Sequence, residues 1–305
     1  MMRFALISTM AFGLAGCMLT GPGETGGPVA DTSQPSVAKA VEGATSTSTT
    51  GTPASITSAD GSTYVGGIAD GKPHGQGRYT SPDGFEYAGN WVGGQISGEG
   101  RAVYANGSVY EGNFVSGQPQ GRGTLTTPDG FSYSGEWVDG QRTGSGKATY
   151  ANGDVFEGSF ANGTREGVGR MIYADGSSYE GRFVAGQRDG LGTYTTKDGF
   201  TYQGGWKAGR FDGQGRASYD SGLVYEGSFV DGRQEGTGTA TYSDGASYAG
   251  NFVDGLRQGR GKYTAADGFV YEGEWQAGEI TGDGLAIYPD GTRLQGRFRN
   301  GEFLG

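Results

Sequence analysis

From Tyr64 onward, large apolar residues recur along the chain with two superimposed periods. The short period is two. In Tyr87-Ala88-Gly89-Asn90-Trp91, Tyr110-Glu111-Gly112-Asn113-Phe114 and Tyr133-Ser134-Gly135-Glu136-Trp137, aromatic and Gly residues alternate with other, mostly polar ones. That is the spacing of side chains along one face of a β-strand. The long period is 23. Tyr64, Tyr87, Tyr110, Tyr133, Phe156, Tyr179, Tyr202, Tyr225, Tyr248, Tyr271 and Leu294 keep it without an insertion. With each of these counted as repeat position 1, positions 3, 8 and 12 are Gly in every repeat. Position 5 is aromatic in all but the first, where it is Ile68. A fixed period of this length marks stacked units that share one core.

Positions 19–21 read Pro82-Asp83-Gly84, Ala105-Asn106-Gly107 and Pro128-Asp129-Gly130, which are hairpin-turn triplets. A three-residue loop there places position 18 opposite position 22, and the residues support that register. Tyr104, Tyr150, Tyr173, Tyr219, Tyr242 and Tyr288 face Ser108, Asp154, Ser177, Leu223, Ala246 and Thr292. Conversely, Ser81, Thr127, Thr196 and Ala265 face Phe85, Phe131, Phe200 and Phe269. One ring therefore fills each slot, entering from either strand. Trp at position 5 (Trp91, Trp137, Trp206, Trp275) occurs only in the repeats entered from a Phe turn. Compensating volumes of this kind belong to a close-packed layer.

The same register pairs position 15 with position 2 of the next repeat on the opposite face. There Arg101, Lys147, Arg170, Arg216 and Lys262 meet Glu111, Glu157, Glu180, Glu226 and Glu272. The expected fold is all-β: an elongated single-sheet solenoid of eleven antiparallel hairpin repeats over residues 58–305. One face is sealed by its own rings and the other is polar.

Composition fits this picture. The 65 glycines and a hydrophobic fraction of 34% do not describe an ordinary globular core. The net charge of −10 disfavours nucleic acid and anionic headgroups as partners. One Cys and one His exclude an internal disulfide framework and Cys-based metal clusters.

The sole Cys is Cys17. Before it come Arg3, the apolar run Phe4–Leu14, and Ala15-Gly16. A basic start, a short apolar stretch and small residues describe a secretory signal too short to span a bilayer. Leu14-Ala15-Gly16-Cys17 resembles the bacterial lipobox, which implies cleavage before Cys17 and its lipidation. In such lipoproteins a residue other than Asp after the Cys, here Met18, implies the outer membrane facing the periplasm. Residues 1–16 are then a signal peptide. Residues 17–57, rich in Gly, Pro, Ser and Thr, are a disordered tether carrying the lipid.

The consensus carried by Tyr271-Glu272-Gly273-Glu274-Trp275 and the following Gly-x-x-x-Gly-x-Gly resembles the MORN repeat, over residues 64–305. The resemblance implies a scaffold, a membrane-contact protein or an accessory module, with no cofactor. Catalysis is not expected. Asp83, Asp129, Asp175, Asp198, Asp244, Asp267 and Asp290 share one turn slot in which Asp caps its own backbone. His74 has no second His to form a metal site or dyad with it. No metal ligand is assigned.

The reading is therefore a non-enzymatic, lipid-anchored interaction or scaffolding module of the cell envelope. It has an unidentified protein partner, possible self-association through its terminal repeats, and no nucleic acid. The alternatives are glycan binding through the aromatic face and phospholipid binding by the repeats. The structural aromatic face comprises Phe85, Trp91, Tyr104, Phe131, Trp137, Tyr150, Tyr173, Phe200, Trp206, Tyr219, Tyr242, Phe269, Trp275 and Tyr288.

Overall fold

A computed structural model describes residues 46–47 and 54–305, and among them every regular element is a β-strand. The expected signal peptide, Cys17 and most of the expected tether lie outside the described residues. The chain forms two compact units. The first comprises the described residues up to Ala174 together with Phe183–Gly186. The second comprises Asp175–Arg182 and Gln187–Gly305.

In the first unit, strands from Ala54–Thr57 to Thr164–Ile172 each pair antiparallel with the next in sequence. The second unit follows the same rule from Gln187–Thr195 to Glu302–Phe303. Each repeat but the last supplies a seven-residue strand and a nine-residue strand, as in Ser132–Val138 and Gln141–Thr149.

The unequal lengths are reconciled by a bulge. Going inward from the turn, Glu136 still pairs with Thr143, but the next residue, Gly135, pairs with Gly146. The extra residues include Gly144, at φ +55°, in the left-handed region that Gly enters without a Cβ clash. Position 12 is therefore a backbone requirement of the bulge.

Two turns alternate. At the three-residue turn, the Tyr150 N–H donates to Asp154 O at 2.8 Å and Gly153 N–H to Tyr150 O at 2.9 Å. Position 18 thus faces position 22, as the residue exchange predicted. The other turn has only two central residues, Asp139 and Gly140, at φ +50° and +75°. That doubly left-handed pattern is the two-residue hairpin matched to strand twist. Ala185, Ala208 and Ala277 hold the same non-Gly slot at φ +48° to +50°, at a cost of roughly 1–2 kcal/mol each.

The ring at position 1 does not stand up from the sheet. It lies across the Gly at position 3 of its own strand and the Gly at position 14 of the neighbouring one. A Cβ at Gly135 or Gly146 would come within 2.4 Å of the Tyr133 hydroxyl. The hydroxyl donates to the Glu136 carbonyl at 3.1 Å, and Tyr87, Tyr110, Tyr202 and Tyr225 repeat the same i to i+3 bond. Two bare glycines are what let a phenol lie flat and still satisfy its O–H.

Two expectations are corrected. The sheet begins before residue 58, because Ala54–Thr57 is a strand paired with Thr63–Ala69 and buries Ala54 and Ile56. Ala54 and Ile56 alternate with Ser55 and Thr57, a period of two hidden inside a Ser/Thr-rich stretch. The outer face is also less polar than expected: position 6 carries Val92, Val115, Val138, Val230 and Val253, 45–57% exposed. These valines end the seven-residue strands beside the tight turn, where a β-branched residue suits the extended backbone.

Candidate interaction surface

The inner face is an edge-to-face aromatic layer. Trp137 meets Tyr133 of its own repeat at 5.3 Å and 85°, and Tyr110 of the preceding one at 5.1 Å and 84°. Phe160 stands in the same relation to Phe156 and Tyr133. Such pairs contribute about 0.5–1.5 kcal/mol each beyond burial. Each Trp indole also donates to the carbonyl of a preceding-repeat Gly, as Trp137 Nε1 does to Gly123 at 3.1 Å.

The structure places the sequence-derived rings as follows. Trp91, Trp137, Trp206 and Trp275 are 1–4% exposed. Phe85, Phe131, Phe200, Phe269, Tyr104 and Tyr173 are buried, and Tyr150, Tyr219, Tyr242 and Tyr288 are half-buried. Phe and Tyr slots of successive turns meet: Phe85 with Tyr104, Phe131 with Tyr150, Phe200 with Tyr219, and Phe269 with Tyr288, at 5.1–5.8 Å. Sugar stacking on this face would have the half-buried tyrosines as platforms, because the tryptophans are covered.

Burial raises the position-1 phenols, to about 12 for Tyr87, Tyr133, Tyr248 and Tyr271. At the turns, hydrogen bonds from Ser81 and the Phe85 N–H hold Asp83 below the usual carboxylate range. Thr127 and the Phe131 N–H do the same for Asp129. These carboxylates cap their own loops. His74 is exposed. Among the described residues, no group of three or more His, Cys, Asp or Glu is placed to hold a metal ion.

Position 10 is a feature the sequence reading passed over. Arg142, Arg165, Arg188 and Arg257 occupy it and are turned inward over the rings. Arg142 lies 5.1 Å from the Phe131 centroid, and Arg257 4.3 Å from that of Trp275. The available signal was the recurrence of Arg at one repeat position in three successive repeats.

Each of these residues also clasps the tight turn of the next repeat. Gly163 N–H donates to Arg142 O at 2.9 Å, and Arg142 Nη2 donates back to Gly163 O at 2.8 Å. Gly278 and Arg257 repeat the reciprocal pair in the second unit. Position 11 completes the clasp by accepting the N–H of position 7: Asp139 N–H to Gln120 Oε1 at 2.8 Å, and Ala277 N–H to Gln258 Oε1 at 2.9 Å.

The outer face pairs its charges. Arg101 meets Glu111 at 2.9 Å, Arg216 meets Glu226 at 3.2 Å, and Arg233 meets Asp254 at 2.7 Å. Lys147 and Lys262 stand opposite Glu157 and Glu272 in the ladder. Here a mosaic of both signs flanks the exposed valines.

Comparison with known proteins agrees with this architecture. The family model "MORN repeat" matches ten consecutive segments: residues 64–85, then 87–109 and eight further abutting segments to 271–293. No curated protein matches. Among solved structures, the TCP domain of Drosophila melanogaster SAS-4, in complex with a proline-rich motif of Ana2, is 17% identical. That match covers 58% of this chain and 84% of that one at a TM-score of 0.30. The TCP10 domain of Danio rerio CPAP, in complex with a STIL peptide, is 11% identical, covering 83% and 98% at 0.28. Neither likeness bears on function.

Proposed function

The chain belongs to the MORN-repeat family, whose members serve in general in membrane or lipid binding and in scaffolding, and on that premise we propose that it is a non-enzymatic interaction module. The observation that carries this reading is the division of labour between the faces. The inner rings fill one another's space, while the outer face repeats a mosaic of valines and paired charges at intervals of 23 residues. A surface of that kind presents many equivalent contacts to a partner, each of them weak. In the same reading the chain is held to a membrane by lipid on Cys17, as the lipobox-like Leu14-Ala15-Gly16-Cys17 suggests, and works in the cell envelope.

Two experiments test the two halves. Cys17→Ala should release the chain from the membrane fraction, and globomycin should leave its precursor uncleaved; membrane retention after a carbonate wash refutes the anchor. Photo-crosslinkers placed at Val115 or Val230 should trap a partner protein in envelope preparations. Crosslinking to glycan fragments would favour the polysaccharide reading instead.

A further inference from the structure

Arginines on the two faces are treated differently. Outer-face Arg78, Arg101, Arg210, Arg216 and Arg233 sit within 3.3 Å of a carboxylate. On the inner face of the first unit, Arg142 and Arg165 are 7% and 6% exposed, and the partners they show are carbonyls, rings and, for Arg165, the Tyr150 hydroxyl. Arg142 Nη2 donates to Gly163 O, and its guanidinium lies over Phe131 and Tyr133. Arg165 Nη2 donates to Gly186 O and lies over Tyr150, Phe156 and Phe183. The ionisable groups acting on Arg142 are the phenols of Tyr150 and Tyr133.

Between the two cations stands Tyr150, half-buried and raised by burial, with Arg165 and then Arg142 acting in the other direction on its hydroxyl. The acid acting on Tyr150, Asp154, is engaged elsewhere: it accepts from Asn152 Nδ2 at 2.9 Å and from the Ala174 N–H at 2.8 Å. Buried cations are usually met by anions. Here two guanidiniums and a phenol converge, and among the described residues no carboxylate forms an ion pair with either guanidinium.

We propose that Arg142, Tyr150 and Arg165 form an anion-reading site on the inner face of the first unit. Its partner is an acidic peptide segment in the polyproline II conformation. The proposal rests on the interaction-module reading and names its partner class.

Spacing and charge select that partner. Equivalent positions in successive repeats are two strands apart, about 9.6 Å. A polyproline II chain advances ~3.1 Å per residue with three residues per turn, so carboxylates at every third residue share one side about 9.3 Å apart. An ordinary extended strand alternates faces and would present the second carboxylate away from the sheet. The net charge of −10 repels a dense polyanion, which leaves a partner whose negative charge is sparse and in register. The half-buried Tyr150 ring offers an apolar surface to the intervening prolines.

The test is fluorescence anisotropy of a labelled peptide repeating Glu-Pro-Pro, titrated with the full chain. Binding should weaken about tenfold in Arg142→Gln and in Arg165→Gln, the loss expected for one charge-assisted contact. Gln is tolerated in this slot, since Gln234 fills it natively and is buried. Arg257→Gln is the control: it removes an inward Arg flanked at position 10 by Gln234 and Ile280, and binding should not change.

A peptide with Glu at every fourth residue, or polygalacturonate, should bind at least tenfold more weakly than the spaced peptide. Equal binding by either would overturn the proposal, since the site would then respond to negative charge without its spacing. Equal weakening by Arg257→Gln would assign the effect to the fold. If the spaced peptide does not bind while outer-face crosslinkers still trap a protein, the partner assignment fails and the module reading survives.

Discussion

The two faces of each hairpin are made from the same strands, yet they distribute interactions in opposite ways. On the inner face one side chain serves several partners at once: Tyr133 covers two glycines, bonds the Glu136 carbonyl and meets Trp137 and Phe160 edge-on. On the outer face a side chain such as Glu111 has one exposed partner, Arg101, across the ladder. Dense sharing makes the inner face intolerant of change in volume. Pairwise contacts leave the outer face free to vary while the strands below it stay in place. Stability is thereby concentrated on one side of a single layer, and freedom to vary on the other.

The largest effect that should expose this contrast is alkaline unfolding. The phenols of Tyr87, Tyr133, Tyr248 and Tyr271 are raised from 10 to about 12 in the folded chain, so their protonated form favours folding. Their contribution is complete below pH 10, the unfolded value, and is lost as pH rises through about 12. Circular dichroism and tyrosinate absorbance should change together in that window. Tyrosinate absorbance already complete near pH 10 with the sheet intact would show that the rings are not enclosed.

Next in size is Phe131→Ala, which should cost roughly 3–5 kcal/mol as a large-to-small core change. Adding Thr127→Tyr rebuilds the turn in the Tyr104/Ser108 style and should recover part of the loss. Leu125 and Trp137 remain from the Phe-type set and crowd the new ring. Thr126→Tyr with Phe131→Ala should recover nothing, because Thr126 is exposed on the outer face. Urea unfolding of the three variants compares the faces directly, and equal rescue from positions 126 and 127 would contradict the face assignment.

That experiment was foreseeable from the residues alone, because the exchange of rings between positions 18 and 22 had already encoded the turn and its facing pairs. Other parts of the fold were not legible. The tight turn carries an Asp-Gly or Asn-Gly signal in some repeats, as at Asp139-Gly140 and Asn162-Gly163, but at Ala185, Ala208 and Ala277 position 7 carries none, and only its backbone angle reveals the strain. The inward direction of Arg142 and Arg165 was hidden as well, since Arg reads as a surface residue until its carbonyl partner in the next repeat is seen. The strand at Ala54–Thr57 was lost in its Ser/Thr surroundings.

A smaller effect follows from the strained turns, which belong to neither face. Ala208→Gly, at φ +48°, should raise stability by about 1 kcal/mol, relief of left-handed strain outweighing the added chain entropy. A fall in the urea midpoint would mean that the Ala208 methyl makes a compensating contact.

Smallest of all, Glu111→Gln should cost less than about 1 kcal/mol, and the difference from the parent should vanish in high salt. A loss comparable to that of Phe131→Ala would erase the distinction between the faces.

The reciprocal clasp between Arg142 and Gly163 has an evolutionary corollary. Because every repeat grips its successor through the same main-chain atoms, a duplicated block of 23 residues arrives with both halves of its junction already made. Lengthening or shortening the array by whole units requires no new interface to be invented. An insertion of any other size shifts every later residue out of phase with the grip. Reach can thus drift freely between related genes, in steps of one hairpin, while the joint itself stays the same.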